Sequence, residues 1–516
     1  MFFFRFPLKN YNADIVLILV LLLPLVSGCK DEAPLNGSRP NIVFIIGDDI
    51  GYSDLGCYGS EISTPHLDRL AEEGVRFRQF YNMAKCNPTR SSLHTGIYYG
   101  DDSALSLGRQ MHLADYTTLF VGKEHFDKWV PEDCYAANCF DRSVTFWAMT
   151  NYFLQDDGTY PNPFYMDGKE IRPEDIPSND STWFLTDVLT DQAIRWLDEY
   201  PADDKPFFLY MGYLNAHYPL QAKAEDIAKY RGTYLKGWDK LREERFSKQK
   251  AEGLAGENWV LSPPSSNINR FRGHPSGDEN IRKKIPVYSP WDLLSDSARD
   301  TYDLEMAVFA ALVDNMDQNI GRLIAYLEES GELDNTLFIY MSDNGSCPYD
   351  SNRDFILPPG HSQSFRTLDP KWANVGNTPF RFYKQYGHEG GSNTHFIASW
   401  PGRIEGGRII DHTGHVVDVL PTLLELAGRP VDEAKRINGI SLLPLFEGRE
   451  AEEHPYMVSG MDMFRMYREG DMKLVRVNGE EWQLYDLGSD PTECYNLADS
   501  LPAMVKEMSD RYDERF

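Results

Sequence analysis

Positive charge is what this chain is short of. Lysine and arginine number 51 against 79 aspartates and glutamates, a net charge of −28 over 516 residues. Binding through nucleic-acid phosphates needs clustered cations, so a general nucleic-acid partner is excluded. Any anionic ligand must instead be met by a local positive pocket inside a negative field. Cysteine is scarce too, with 7 residues and no zinc-like Cys/His spacing. No internal repeat and no extended low-complexity segment is present, which sets aside solenoids and disordered arrays. Apolar length is also limited: the run Ile15 to Val26 falls short of the roughly 20 residues that a membrane-spanning helix needs.

Arg5 and Lys9 precede that run, and together they have the pattern of a secretory signal. It ends Leu25-Val26-Ser27-Gly28-Cys29, which resembles a bacterial lipobox. The resemblance implies that Cys29 becomes the first mature residue and carries a lipid anchor. Lys30-Asp31-Glu32 resembles the surface-export tag of outer-membrane lipoproteins. The expectation is a lipoprotein signal peptide over 1–28, a tether over 29–38, and a protein lipid-anchored to the bacterial outer membrane or cell surface. An ordinary secretory signal cut nearby is the alternative. Export permits disulfides. Of Cys57, Cys134, Cys139, Cys347 and Cys494, an odd set, at least one stays unpaired; Cys134 and Cys139 are near enough in sequence to pair.

Four short β-rich runs read as buried parallel strands: Asn41 to Ile46, Thr117 to Val121, Phe207 to Leu214 and Thr336 to Met341. Helical patterns lie between them. They cover Pro65 to Gly74, with Thr64 as a possible cap, Thr182 to Tyr200 and Tyr302 to Ser330. Such alternation predicts an α/β fold, a mostly parallel sheet sandwiched by helices. The polar stretch Tyr230 to Asp296 reads as an excursion, with Lys240 to Lys250 a solvated helix face. After residue 430 the pattern changes. His454 to Val458, Met472 to Val477 and Gln483 to Leu487 read as antiparallel strands and Met504 to Arg515 as a closing helix. The expected division is a catalytic domain over 39–430 and a smaller α+β subdomain over 431–516.

The strand ends point to a site. The four runs are followed by Asp48-Asp49, by Lys123 and His125, by His217, and by Asp343-Asn344. In open α/β sheets ligands bind beyond the carboxyl ends of the strands, so four strands deliver these groups to one edge. Adjacent buried carboxylates repel unless a cation or proton sits between them. With Asp343 and Asn344 they offer an oxygen cage suited to a hard cation, calcium first and magnesium second. A further run, Cys86-Asn87-Pro88-Thr89-Arg90, follows a predicted strand from Val75 to Tyr81. Pro88 suits a first helical turn. Cys86 then lies near a helix N-terminus, where anions are favoured and a thiol pKa is lowered.

The run Cys86-x-Pro88-x-Arg90, with Thr95-Gly96 after it, resembles the signature of the type I, formylglycine-dependent sulfatases of the alkaline-phosphatase superfamily. In that family the cysteine is oxidised to formylglycine (3-oxoalanine), an aldehyde whose hydrate attacks sulfate esters. The resemblance implies an alkaline-phosphatase-like fold and one Ca²⁺ held by Asp48, Asp49, Asp343, Asn344 and the modified Cys86. Arg90 would hold the hydrate, and Lys123 and His125 would form the Gly-Lys-x-His motif. His217 would bind sulfate. Lys384, in Asn377-Thr378-Pro379-Phe380-Arg381-x-x-Lys384 before Glu389-Gly390-Gly391, would meet the leaving-group oxygen. Either Lys384 or His217 would protonate the departing alcohol, and His125 would take the proton that expels sulfate. Implied partners are a sulfated small molecule or carbohydrate and a formylglycine-generating maturase. Three features depart from the pattern: Glu124 replaces the usual tryptophan, adding negative charge near the sulfate, the link from Gly100 to Asp115 is short, and Gly391-Ser392-Asn393-Thr394-His395 replaces a more apolar continuation.

Two other readings remain at this stage. A phosphate or phosphonate ester hydrolase of the same superfamily would ask for a second metal, and no second Asp/His cluster is visible in the sequence. A non-catalytic lipoprotein that binds sulfated glycans would keep Cys86 as a thiol.

Overall fold

The computed structural model describes residues 35, 37–98, 104–200, 205–265, 290–349, 357–429, 437–461 and 463–515. The signal peptide, Cys29 and most of the tether lie outside the described residues. In chain order the first strands are β1 (Asn41–Gly47), β2 (Val75–Phe77), β3 (Phe80–Tyr81), β4 (Thr117–Lys123), β5 (Arg142–Phe146), β6 (Phe164–Met166) and β7 (Lys169–Ile171). Then come β8 (Phe207–Gly212), β9 (Thr336–Ser342), β10 (Asn393–Thr394), β11 (Phe396–Ser399), β12 (Arg408–Ile410) and β13 (Gly414–His415). The main sheet has 10 strands in the order β12-β2-β11-β9-β1-β8-β4-β5-β6-β7. Its centre, β9-β1-β8-β4-β5, is wholly parallel.

The reason lies in the side chains. Along β1, Val43 and Ile45 enter one core while Ile42, Phe44 and Ile46 enter another. β9 divides likewise, with Phe338 and Tyr340 on one side and Leu337, Ile339 and Met341 on the other. Strands apolar on both faces must be covered on both, which a parallel sheet with crossover helices achieves. The longest cover is the helix Asp296–Ser330, capped by Ser295, whose hydroxyl accepts from the Ala298 N–H at 3.3 Å. At the catalytic edge Gly122 and Gly212 let β4 and β8 approach: a Cβ on Gly122 would collide with the Gly212 carbonyl.

Four further strands form the antiparallel C-terminal sheet: β14 (Met457–Met461), β15 (Phe464–Glu469), β16 (Met472–Val477) and β17 (Gln483–Asp486). The helix Pro502–Arg515 closes it with Met508 and Tyr512. The first of these strands lies later than the pattern suggests, and β15 is not foreseen. Phe464, Arg465 and Met466 alternate, but Tyr467 and Arg468 are both buried after Met466, which blurs the alternation.

Several local expectations are corrected. The run Val75 to Tyr81 is two strands, because β2 joins the main sheet and β3 a small one with β10 and β13. Thr64 precedes the helix Pro65–Glu73 without capping it; its hydroxyl accepts from Gly56 N at 2.8 Å and donates to Asp68 at 3.0 Å. Lys240 to Lys250 is helical, within Trp238–Ala251, but not merely a solvated face. Arg242, Arg245 and Gln249 are buried, and Arg245 pairs with Asp54 at 2.7 Å and Glu61 at 2.8 Å. Cys134 and Cys139 are free thiols, the latter donating to the Cys134 carbonyl at 3.5 Å. The helix before β4 is short, Leu107–Leu113. Among the described residues no helix is long and apolar enough to cross a membrane.

Candidate active site

β1 and β9 run in register, Gly47 beside Ser342, so Asp48-Asp49 and Asp343-Asn344 emerge side by side. β8 and β4 lie on the other flank of β1 and bring in the loop carrying His217, the end residue Lys123, and His125 just beyond. Cys86 is the first residue of the helix Cys86–Thr95, which sets Arg90 one turn further in. Lys384 arrives from the loop after the helix Pro370–Gly376. Asp48, Asp49, Cys86, Arg90, Lys123, His217, Asp343, Asn344 and Lys384 are all buried.

The charges are paired. Lys123 bonds Asp48, and Lys384 bonds Asp49 at 2.5 Å. Arg90 places both Nε and Nη2 at 2.9 Å from Asp343 Oδ2, while its Nη1 donates to the Lys123 carbonyl at 3.1 Å. Three permanent cations thus face three carboxylates, and the pocket is electrically balanced before any metal or substrate enters. Burial disfavours charge on Asp49, but Lys384, His217 and Lys123 outweigh it and hold the carboxyl below its ordinary range. Asp343 goes the other way, pushed up to about 6 by burial and by Asp48.

Three oxygens are left over. Asp48 Oδ1, Asp49 Oδ2 and Asn344 Oδ1 are buried and accept no hydrogen bond. Unmet buried acceptors are costly, and carboxylate and amide oxygens of this kind suit a hard cation. Ligand atoms of Asp48, Asp49, Cys86 and His217 lie within 4.8 Å of one another, so a possible metal-binding cluster that includes the cysteine is present. The structure brings His217 into this group and leaves Asp343 turned toward Arg90. Asn344 stays beside Asp49, donating to its Oδ1 at 2.7 Å.

Protonation states follow from burial. The His217 Nδ1 faces the Tyr218 carbonyl at 2.6 Å, so it carries the hydrogen, and the Nε2 lone pair looks inward toward Asp49. Burial and Lys123 lower the His217 pKa to about 3. Burial, with Lys123 and Arg90, also holds His125 neutral, and its Nδ1 has no hydrogen-bond partner. Cys86 departs from expectation: burial pushes the thiol pKa up despite the helix N-terminus and the nearby lysines. Glu124 is turned to the backbone and is only partly ionised at neutral pH. It accepts from the Ala136 N–H at 2.6 Å, and burial lifts its pKa to about 7.

A buried cluster of carboxylates, a thiol and neutral imidazoles, ringed by lysines and arginine at the carboxyl edge of a parallel sheet, defines an ester hydrolase centre on an alkaline-phosphatase-like fold. Residues 40–429 match the sulfatase family and residues 379–515 the C-terminal region of N-sulphoglucosamine sulphohydrolase. The chain belongs to the sulfatase family, and it is a sulfuric ester hydrolase. An uncharacterized sulfatase of Schizosaccharomyces pombe is 30% identical over 91% of this chain and 92% of its own. The N-acetylglucosamine-6-O-sulfatase of Bacteroides thetaiotaomicron is 26% identical over 94% of this chain and 89% of its own. The crystal structure of Ps i-CgsB in complex with k-i-k-neocarrahexaose superposes with a TM-score of 0.64 at 23% identity, covering 92% of each chain.

Proposed function

We propose that this protein hydrolyses sulfate esters on carbohydrates, with Cys86 converted to formylglycine and one Ca²⁺ held by Asp48, Asp49, Asp343, Asn344 and the modified side chain. Mg²⁺ is the second choice. The observation that carries this reading is the buried cluster of Asp48, Asp49, Cys86 and His217 ligand atoms, with unmet buried oxygens on Asp48, Asp49 and Asn344. The carbohydrate class is supported by the sequence relative that removes sulfate from N-acetylglucosamine. The aldehyde, hydrated by water, would supply a hydroxyl oxygen as nucleophile, and the cation would draw charge from it.

The chain's own residues do the rest. Arg90, clamped by Asp343 and the Lys123 carbonyl, is a fixed cation one turn from Cys86 and favours an anionic oxygen there. Lys123 and Lys384, with His217, would meet the sulfuryl oxygens and neutralise charge on them. His217 in its neutral tautomer offers a lone pair, not a proton, on Nε2, which leaves Lys384 as the group with a proton for the departing alcohol. Its pKa is raised by Asp49 against the effect of burial. Lys384 would lose part of that partner if Asp49 held a cation, and its pKa would then come down, the direction a proton donor needs. His125, neutral and unbonded at Nδ1, accepts the last proton.

Export and lipid attachment at Cys29 belong to the same proposal, supported by the apolar run and the Leu25-to-Cys29 motif. The deciding experiment is peptide mass spectrometry over Ala84 to Arg90 on protein made with a maturase, alongside rates on nitrophenyl sulfate and nitrophenyl phosphate. The expected result is an aldehyde at Cys86 and a preference for sulfate. An active enzyme carrying only the thiol would refute the mechanism. Membrane retention of a Cys29→Ala chain would refute the anchor.

A further inference from the structure

A row of residues crosses the C-terminal sheet: Gly460 on β14, Arg465 on β15 and Arg476 on β16 are direct neighbours. Like charges set opposite each other in an antiparallel pair repel and cost stability. Two arginines face to face therefore need a reason, and the catalytic centre does not use them. Arg465 has one carboxylate partner, Asp513 at 3.5 Å, and sits 5.6 Å from the Tyr512 ring centroid. Arg476 stacks on Trp482, 4.5 Å from its ring centroid, and no carboxylate among the described residues pairs with it.

Both arginines line a cleft of about 1100 Å³ that is also lined by Asn87, His125, Trp129 and Trp147 and by one further charge of each sign, Asp127 and Lys128. His125 belongs to the catalytic centre, and Trp147 meets it edge-on at 6.1 Å. Gly460 has no side chain to close the near end of the row. The cleft therefore joins a residue of the catalytic centre and aromatic rings to two neighbouring arginines, of which Arg465 has Asp513 as partner and Arg476 has no carboxylate among the described residues, in a chain of net charge −28.

We propose that Arg465 and Arg476 form a second anion subsite, which takes a sulfate or carboxylate group on the sugar unit next to the one whose sulfate ester is cleaved. This rests on the sulfatase reading above. Planar guanidinium groups bind such anions through paired hydrogen bonds. An anion between them also cancels the cross-strand repulsion, so binding recovers what the empty sheet loses.

The test compares a small aryl sulfate, a monosulfated disaccharide and the same disaccharide with a second sulfate on the neighbouring unit. A fourth substrate with a uronate in that position separates carboxylate from sulfate. Arg476→Ala lowers kcat/KM on the doubly charged sugars by roughly ten- to a hundredfold, the range for losing hydrogen bonds to a charged group. The loss is carried by KM, and the two singly charged substrates are little affected. Arg476→Lys restores part of it. An equal loss on all four substrates, or no loss on the doubly charged ones, overturns the proposal. Calorimetric binding of the same sugars to the chain made without maturase reads the subsite without turnover. A protein that cleaves no sulfate ester would sink the sulfatase reading, and the subsite then falls only if the second anion fails to tighten this binding.

Discussion

Replacing Lys473 by methionine removes one ammonium from a buried network that ties the C-terminal sheet to the catalytic edge. Lys473 Nζ lies 2.5 Å from Glu389 Oε1 and 3.0 Å from Glu493 Oε1, and all three residues are fully buried. Tyr81 donates to Glu389 at 2.5 Å, and Arg468 donates to Tyr81 at 2.7 Å. At an effective dielectric of about 20, each Lys–Glu attraction is about 6 kcal/mol before desolvation is set against it. Removing one member of a buried pair costs about 3–5 kcal/mol, because the remaining charge is left uncompensated. Here two carboxylates are left. Burial, with Glu389 adding to it, already pushes Glu493 up to about 7, and Lys473 is what pulls it back. A carboxyl raised on folding stabilises fully below its unfolded pKa and loses that contribution as pH rises through the folded value. Without Lys473 the folded value climbs further, so the variant suffers more at about pH 8 than at about pH 5.5. Urea midpoints at the two pH values measure this. The site should feel it too. Glu389 opens the short helix Glu389–Ser392 five residues after Lys384, and a Cβ on Gly345 would strike the Gly390 carbonyl, so this turn abuts Asp343-Asn344-Gly345. kcat should fall with stability. A variant within about 1 kcal/mol of the parent, or one that gains stability as pH rises, would refute the reasoning.

Two further outcomes can be checked directly. Ca²⁺ should raise the melting temperature and elemental analysis should find one ion per chain; Asp49→Asn should abolish the thermal shift, since it removes the carboxylate that Lys384 and the cation compete for. Lys384→Ala should lower kcat more for poor leaving alcohols than for nitrophenolate, which needs little protonation; an equal fall across leaving groups would exclude it as the proton donor.

Much of the centre was legible in the chain itself. Apolar runs ending in Asp48-Asp49, Lys123, His217 and Asp343-Asn344 announced a parallel sheet with polar groups at one edge, because strand burial and strand direction are both written locally. The Cys86-to-Arg90 spacing placed a thiol at a helix start, since one helical turn separates the two. What burial does to these groups was not legible. A helix N-terminus favours a thiolate, yet the sequence carries no measure of desolvation, which won at Cys86. Glu124 read as a charge near sulfate but turned to the Ala136 N–H. A like error hid Arg245 among the apparently solvated lysines, although its partners Asp54 and Glu61 lie far away in sequence.

The sequence alone determined the strand order of chemistry: which residue types occur, and at which strand ends and helix starts. Only the tertiary structure decided the pairings. Lys123 with Asp48, Lys384 with Asp49 and Arg90 with Asp343 are contacts between segments remote along the chain. The orphaned oxygens beside Cys86 and the face-to-face arginines of β15 and β16 likewise exist only once register is set. Local patterns follow from covalent neighbours, whereas Coulomb energy and desolvation depend on distances that folding alone creates.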